Sequence, residues 1–222
     1  MSEFSPDENK LTLKLVFYGP ALSGKTTNLM QLHTLLNPER KGELMVLETR
    51  DDRTLFFDML PIGLRCSSGL NLRLKLFTVP GQVQHDSTRK AVLSRADGVV
   101  FVADSQPSQV DNNAVAFGNL EENLEKVGID IESLPLVIQF NKRDLPGVVD
   151  ETELHDIWAE TPWAPPIMAS ALNGKGVVET FSCLLDRLYS VIDQQFDLER
   201  QHGIGRAEFI NGLSRVGVGS LC

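Results

Sequence analysis

From position 11 the chain alternates apolar and polar residues, Leu11-Thr12-Leu13-Lys14-Leu15, and then stays apolar through Val16-Phe17-Tyr18. That pattern predicts a buried first strand. Over 28–36 the apolar residues return at helical spacing, and 37–42, with Asn37, Pro38 and Gly42, has the composition of a helix stop and turn. A short second strand is expected over 44–47, followed by a polar loop that turns apolar near 55–57. Residues 70–79 alternate strictly and predict a half-buried strand paired antiparallel, with a helix over 87–95. The continuous apolar run 98–104 reads as a central parallel strand. Further helices are expected over 110–127, 152–159 and 177–192, and further strands over 134–140 and 166–169. Strands and helices alternate without an internal repeat. This predicts a doubly wound α/β sheet of six strands, mostly parallel with one antiparallel member and helices on both faces. Ligands in such sheets bind at the carboxyl ends of the strands.

The division expected along the chain is a loose polar lead-in over 1–10, one domain over 11–195 and an extension over 196–222. Within the extension, 206–213 can form an amphipathic turn or two. The plain reading of it is a partly ordered tail; the sharper one is a docking element for a partner or for the domain's own surface.

Composition narrows the function classes. An apolar content of 42% with 23% charged residues is that of an ordinary globular chain. The net charge of −9 argues against a nucleic-acid partner, which calls for a basic face. Cys66, Cys183 and Cys222 form no Cys-x-x-Cys pair, so reduced thiols in a cytoplasmic protein are expected. No apolar run approaches the ~18 residues of a membrane span, and no leader is evident. The terminal Gly219-Ser220-Leu221-Cys222 is not a prenylation box.

The candidate chemistry lies in the loops that follow the strands. Gly19-Pro20-Ala21-Leu22-Ser23-Gly24-Lys25-Thr26 fits G-x-x-x-x-G-K-[ST] between a predicted strand and a predicted helix. Glycines let backbone N–H groups wrap a polyphosphate, and the helix N-terminus adds partial positive charge. The phosphate-binding candidates are Gly19, Ala21, Leu22, Ser23, Gly24, Lys25, Thr26 and Thr27. Lys25 can reach the β- and γ-phosphates, and the Thr26 hydroxyl can ligate Mg²⁺. A second signal, Asn141-Lys142-Arg143-Asp144, follows a predicted buried strand. Asp144 can accept from N1–H and the exocyclic amino group of guanine, a donor pair that adenine lacks. Asn141 can hold the loop by side-chain bonds, the Lys142 stem can lie over the base, and Ser170-Ala171-Leu172 can present a backbone N–H to the guanine carbonyl. Pro80-Gly81-Gln82 ends a strand, as a γ-phosphate sensor should: Gly81 can offer its N–H, and Gln82 can orient the attacking water. Thr54 is a candidate Mg²⁺ ligand in the triphosphate state.

Together these motifs resemble a Ras-like small GTPase, a P-loop NTPase fold. The runs Asp52-Arg53-Thr54-Leu55-Phe56-Phe57-Asp58, Thr78-Val79-Pro80-Gly81-Gln82-Val83, Val102-Ala103-Asp104-Ser105 and Asn141-Lys142-Arg143-Asp144-Leu145-Pro146 resemble the MglA family of bacterial polarity GTPases, over about residues 10–195. The resemblance implies a cytoplasmic switch that hydrolyses GTP slowly alone, with GTP/GDP and Mg²⁺ as ligands. It implies a roadblock-fold activating protein, MglB-like, together with polarity or motility effectors and recruitment to a cell pole. It also implies that Arg53 acts as an arginine finger in cis, so the expected catalytic set is Lys25, Arg53 and Gln82. Thr78 stands where most Ras-like proteins carry Asp, as in the MglA pattern itself. Ala21 stands where MglA-like loops usually place Gly, so its methyl is expected to crowd the transition state. That residue motivates the rival reading, a nucleotide-gated binding module with negligible turnover. An ATP-dependent small-molecule kinase would leave Asn141 to Asp144 unexplained.

Overall fold

A computed structural model of the protein describes residues 3–48, 56–66, 68–80 and 86–214. The short strand β1 (Glu3–Ser5) folds back antiparallel onto β2 (Lys10–Tyr18), whose alternating and then apolar sequence suits a central position. After β2 come α1 (Lys25–Leu35), β3 (Met45–Glu48), β4 (Phe56–Arg65) and β5 (Asn71–Thr78). The chain continues through α2 (Asp86–Leu93), β6 (Gly98–Asp104), α3 (Val110–Lys126), β7 (Leu136–Asn141), α4 (Glu151–Ala159) and β8 (Ile167–Met168). It closes with α5 (Val177–Phe196), α6 (Leu198–His202) and α7 (Arg206–Ser214). The strands form one eight-stranded sheet in the order β3-β4-β5-β2-β6-β7-β8, with β1 beside β2. Strands β5, β2, β6, β7 and β8 are mutually parallel, and β4 runs against both of its neighbours.

Alternation sorts the side chains to two faces. Leu11, Leu13, Leu15 and Phe17 pack on one face with Leu29 and Leu32 of α1 and Leu184 and Leu188 of α5. Val16, Tyr18, Val99 and Phe101 pack on the other with Leu93 of α2, Leu120 and Leu124 of α3 and Leu154 of α4. The α/β class and helices on both faces therefore follow the hydrophobic pattern. The strand count does not: β1 and β4 are additional. In β4, Pro61 and Gly63 interrupt the β signature, and both read as breakers. Pro61 is tolerated because its carbonyl accepts from Gly42 N–H at 2.8 Å. Its nitrogen, which cannot donate, faces the same irregular edge and not β5. β5 makes the expected antiparallel pairing, with β4, and is parallel to β2 on its other side.

Past α5 the chain continues through α6 and α7. Leu198, Ile204, Phe209 and Leu213 are fully buried, in one cluster with Leu64, Cys66, Leu188 and Ile192. Tyr189 donates its hydroxyl to the Ile204 carbonyl at 3.0 Å, and Arg206 pairs with Asp186 at 2.7 Å. Helix α7 thus rests on α5 and β4. Cys222 lies outside the described residues. No helix among them is long and apolar enough to cross a membrane.

Candidate functional site

The loop from Gly19 to Gly24 joins the carboxyl end of β2 to α1, and close packing dictates both glycines. Gly19 has φ 144°, and a Cβ there would fall 2.2 Å from the Val102 carbonyl oxygen of β6. Gly24 has φ 100°, and a Cβ would fall 2.2 Å from the Asn141 side-chain nitrogen. Side chains are excluded at both places, so the loop lies directly against β6 and β7. Between them, Ala21 and Leu22 are exposed, Leu22 with a left-handed φ of 62°. Ser23 is buried. Helix α1 begins at Lys25 with no capping side chain and no acid in its first turn, so its leading N–H groups are free for an anion.

Lys25 is buried, and its Nζ donates to the loop carbonyls of Gly19 at 3.0 Å and Pro20 at 2.6 Å. Burial lowers its pKa to about 8; repulsion from Arg89 adds to the shift, and Asp58 opposes it. Arg89, a buried residue of α2, also lies 6.0 Å from the Tyr18 ring centroid. Lys25 at the helix N-terminus, with Arg89 near enough to repel it, puts positive charge where an anion would be favoured. The Thr26 hydroxyl donates to Asp58 Oδ2 at 2.6 Å, and the Thr78 hydroxyl donates to the same oxygen at 3.0 Å. Asp58 N–H in turn donates to Thr78 Oγ1 at 2.9 Å. Lys25, Thr26, Thr27, Asp58, Thr78 and Pro80 line a cleft of ≈ 350 Å³. A hydroxyl and a carboxylate side by side suit a hard divalent cation that shares its remaining positions with phosphate and water. No cluster of three acidic, His or Cys ligands exists among the described residues.

The second motif is tied to the first by one side chain. Asn141, at the end of β7, donates from Nδ2 to the Ser23 carbonyl at 2.8 Å and accepts at Oδ1 from Ala171 N–H at 2.8 Å. Phosphate loop, β7 and the Ser170–Leu172 turn are therefore one unit. Ser170 donates its hydroxyl to Asp144 Oδ1 at 2.6 Å, which orients that carboxylate. Lys142 has a left-handed φ of 69°, and its Nζ pairs with Asp104 at 2.6 Å. Leu172 is exposed at the rim. Beneath the loop, Asn28 and Gln139 exchange amide hydrogen bonds at 2.9 and 3.0 Å, and Gln139 also donates to Thr180 at 2.8 Å.

Of the residues expected from sequence, Gly19 to Thr27 and Asn141, Lys142, Asp144 and Ser170 to Leu172 are brought to one end of the sheet. Arg53, Thr54, Gly81 and Gln82 lie outside the described residues. Sequence reading gave no role to Arg89, Gln139 or Thr180, and it placed Asp58 and Asp104 only within family runs. A mutual gliding-motility protein, MglA of Myxococcus xanthus (strain DK1622), is 43% identical over 184 residues, covering 83% of this chain and 94% of that protein. The chain belongs to the MglA family of Ras-like small GTPases. ADP-ribosylation factor-like protein 6 of Caenorhabditis elegans is 29% identical over 65% of this chain and 68% of its own length. Its counterpart in Caenorhabditis briggsae is 30% identical over 63% and 65%. No protein-family model matches the chain. Membership in the MglA family favours a guanine-nucleotide hydrolase over both the gated binding module and the ATP-dependent kinase.

Proposed function

We propose that this MglA-family GTPase is a cytoplasmic switch for cell polarity or gliding motility, set by GTP and reset by hydrolysis with an MglB-like roadblock protein. The supporting observation is the Asn141 side chain, which binds a phosphate loop and a base loop into one site. In this reading the N–H groups that open α1 hold the phosphates, and Lys25 exchanges its two loop carbonyls for phosphate oxygens. Asp144, oriented by Ser170, selects guanine; Asn141 and Ala171 fix the turn beside the base. Lys142, drawn to Asp104, lays its stem along the base. Thr26 would hold Mg²⁺, with Thr54 in the triphosphate state, and Asp58 would hold the ion's water in place of the usual acid at Thr78. When bound, the ion neutralises charge on the β- and γ-phosphate oxygens. Gln82 orients the attacking water, Arg53 stabilises the charge that develops on the γ-phosphate, and Gly81 senses that phosphate by its N–H. Partners then distinguish the two arrangements of the switch residues.

Single-turnover GTP hydrolysis, with and without a roadblock-type protein from the same cell, tests this reading. Stimulation that vanishes in Gln82→Leu and Arg53→Ala is expected. Tight GTP binding with no turnover in either condition would overturn it.

A further inference from the structure

Apart from the nucleotide cleft, the outer face of the β4–β5 hairpin is basic in a chain of net charge −9. A groove of ≈ 400 Å³ runs along it, lined among others by Arg40, Lys41, Arg65, Arg73 and Lys75, with Glu39 at the rim. It shares no residue with the cleft at Lys25 and Thr26. Register puts the pairs Pro61–Lys75, Gly63–Arg73 and Arg65–Asn71 on one face, opposite the buried Ile62, Leu64, Leu72 and Leu74. Arg65, Arg73 and Lys75 are exposed. Among the described residues, none of the three has an ion pair. The Nε of Arg40 is buried without a hydrogen-bond partner there, and Lys41 donates to the His33 carbonyl. Acids come near without closing the groove. Cys66 feels Glu208 as well as Arg40, while the adjoining Lys14 feels Asp97 as well as Lys75 and Arg95. Unpaired like charges on one strand face raise each other's electrostatic energy, and an anion relieves it.

The floor is open as well. A Cβ built at Gly63 would meet nothing nearer than the Leu72 carbonyl oxygen, at 3.8 Å. Arg73 and Lys75 stand two residues apart on one strand, so their heads are spaced by roughly 7 Å. We infer that this groove is a docking site for an extended acidic peptide segment of a protein partner, with carboxylates at alternate positions meeting Arg73 and Lys75. Guanidinium groups bind carboxylates in bidentate fashion, which suits such a segment. Two other anionic partners fit less well. A bilayer surface favours exposed apolar anchors, and the exposed large apolar residues, such as Leu22, Val115 and Ile157, lie outside the groove. An extended nucleic acid would be repelled by the acidic remainder of the molecule. The groove lies on the hairpin that begins just after Arg53 and Thr54 in the chain and ends just before Gly81 and Gln82. The inference itself does not depend on the nucleotide reading.

The test is fluorescence anisotropy of a labelled ten-residue Glu-Ser repeat with the full chain, beside an equivalent Lys-Ser repeat. Saturable binding of the glutamate peptide alone, weakened by salt, is expected. The double variant Arg73→Glu, Lys75→Glu should weaken it by about tenfold or more. Gly63→Leu, which fills the floor and leaves the charges in place, should weaken it as well. Fluorescent GDP affinity serves as the check that all variants are folded. Failure to bind the glutamate peptide, or binding that survives both variants, overturns the inference. So does charge-dependent binding to vesicles containing phosphatidylserine, or charge-dependent dimerisation in sedimentation, when the peptide itself does not bind.

Discussion

At the scale of single residues, the departure of Thr78 from the Ras-like pattern has a local answer. Asp58 is largely buried, yet it accepts two hydroxyl hydrogen bonds, from Thr26 and Thr78. A carboxylate thus stands beside position 78 from the neighbouring strand. Asp58→Asn keeps an oxygen for Thr26 and removes the charge. Its Mg²⁺-dependent GDP affinity should fall by about 10- to 100-fold, the range for loss of a group that orients metal-bound water. Titrations of fluorescent GDP with and without Mg²⁺ read this directly, and an unchanged Mg²⁺ dependence would dismiss the role. Ala21 carries the other residue-scale prediction. The loop around it is fixed by Gly19 and Gly24, so an added methyl cannot be relieved by a general shift of the backbone. Ala21→Gly should raise single-turnover hydrolysis by about tenfold, or roughly 1.4 kcal/mol of barrier, with nucleotide affinity nearly unchanged. An equal rate in the two proteins would show that the methyl crowds nothing. Asp58 was visible in the sequence only as the end of a family run, because a lone acid has no spacing that announces its role. Its partner Thr78 is 20 residues away and meets it only through strand register. Arg89 was hidden for the same reason, as one cation in a predicted helix.

The elements divide by how they announce themselves. Those with continuous or strictly periodic apolar patterns, β2, β5, β6, β7, α3 and α5, were legible in the chain. β4 was not, because Pro61 and Gly63 are tolerated only through its pairing with the irregular edge at 40–42. The helical segment after α5 was half legible. Its amphipathic spacing was visible at 206–213, but burial of Leu198 and Ile204 depends on the groove that α5 and β4 offer. That packing has a chemical reporter. Burial under this layer, helped by Glu208 of α7 and opposed by Arg40, raises the Cys66 thiol to about 11. A thiol raised this far is protonated in the folded chain where an ordinary one ionises, so the native state loses stability as pH climbs from about 9 toward 11. At pH 8–9 its thiolate fraction is about 100-fold below that of an unperturbed cysteine, and only the thiolate is alkylated. Iodoacetamide labelling followed by mass spectrometry should therefore leave Cys66 unmodified in the full chain. Removal of residues 204–222 should restore ordinary reactivity at that position alone. Rapid labelling of Cys66 in the intact protein would mean that α7 does not hold the layer closed.

For the molecule as a whole, the proposed nucleotide site is a junction between two halves of the sheet. The loop proposed to hold the phosphates belongs to β2 and α1, and the loops proposed to hold the base belong to β7 and β8. Three buried amides, Asn141 and the Asn28–Gln139 pair, join them. A ligand that touches both halves adds its binding energy to that junction. GDP at 100 times its Kd should stabilise the protein by about 2.7 kcal/mol. For a chain of this size that is a rise in Tm of about 5–11 °C, at 2–4 °C per kcal/mol. Removing the nucleotide with EDTA and phosphatase should reverse it. Asn141→Ala leaves the Ser23 carbonyl and the Ala171 N–H without their partner, at a cost of about 1–3 kcal/mol. The Tm of the nucleotide-free variant should fall accordingly. If Asn141 is the junction, the rise produced by a fixed GDP concentration should also shrink, because the two halves no longer present one preformed site. Calorimetric scans of both proteins at matched GDP separate the possibilities. A lower starting Tm with an undiminished GDP increment would make Asn141 a packing residue only, and the two loops independent binders of the two ends of the nucleotide.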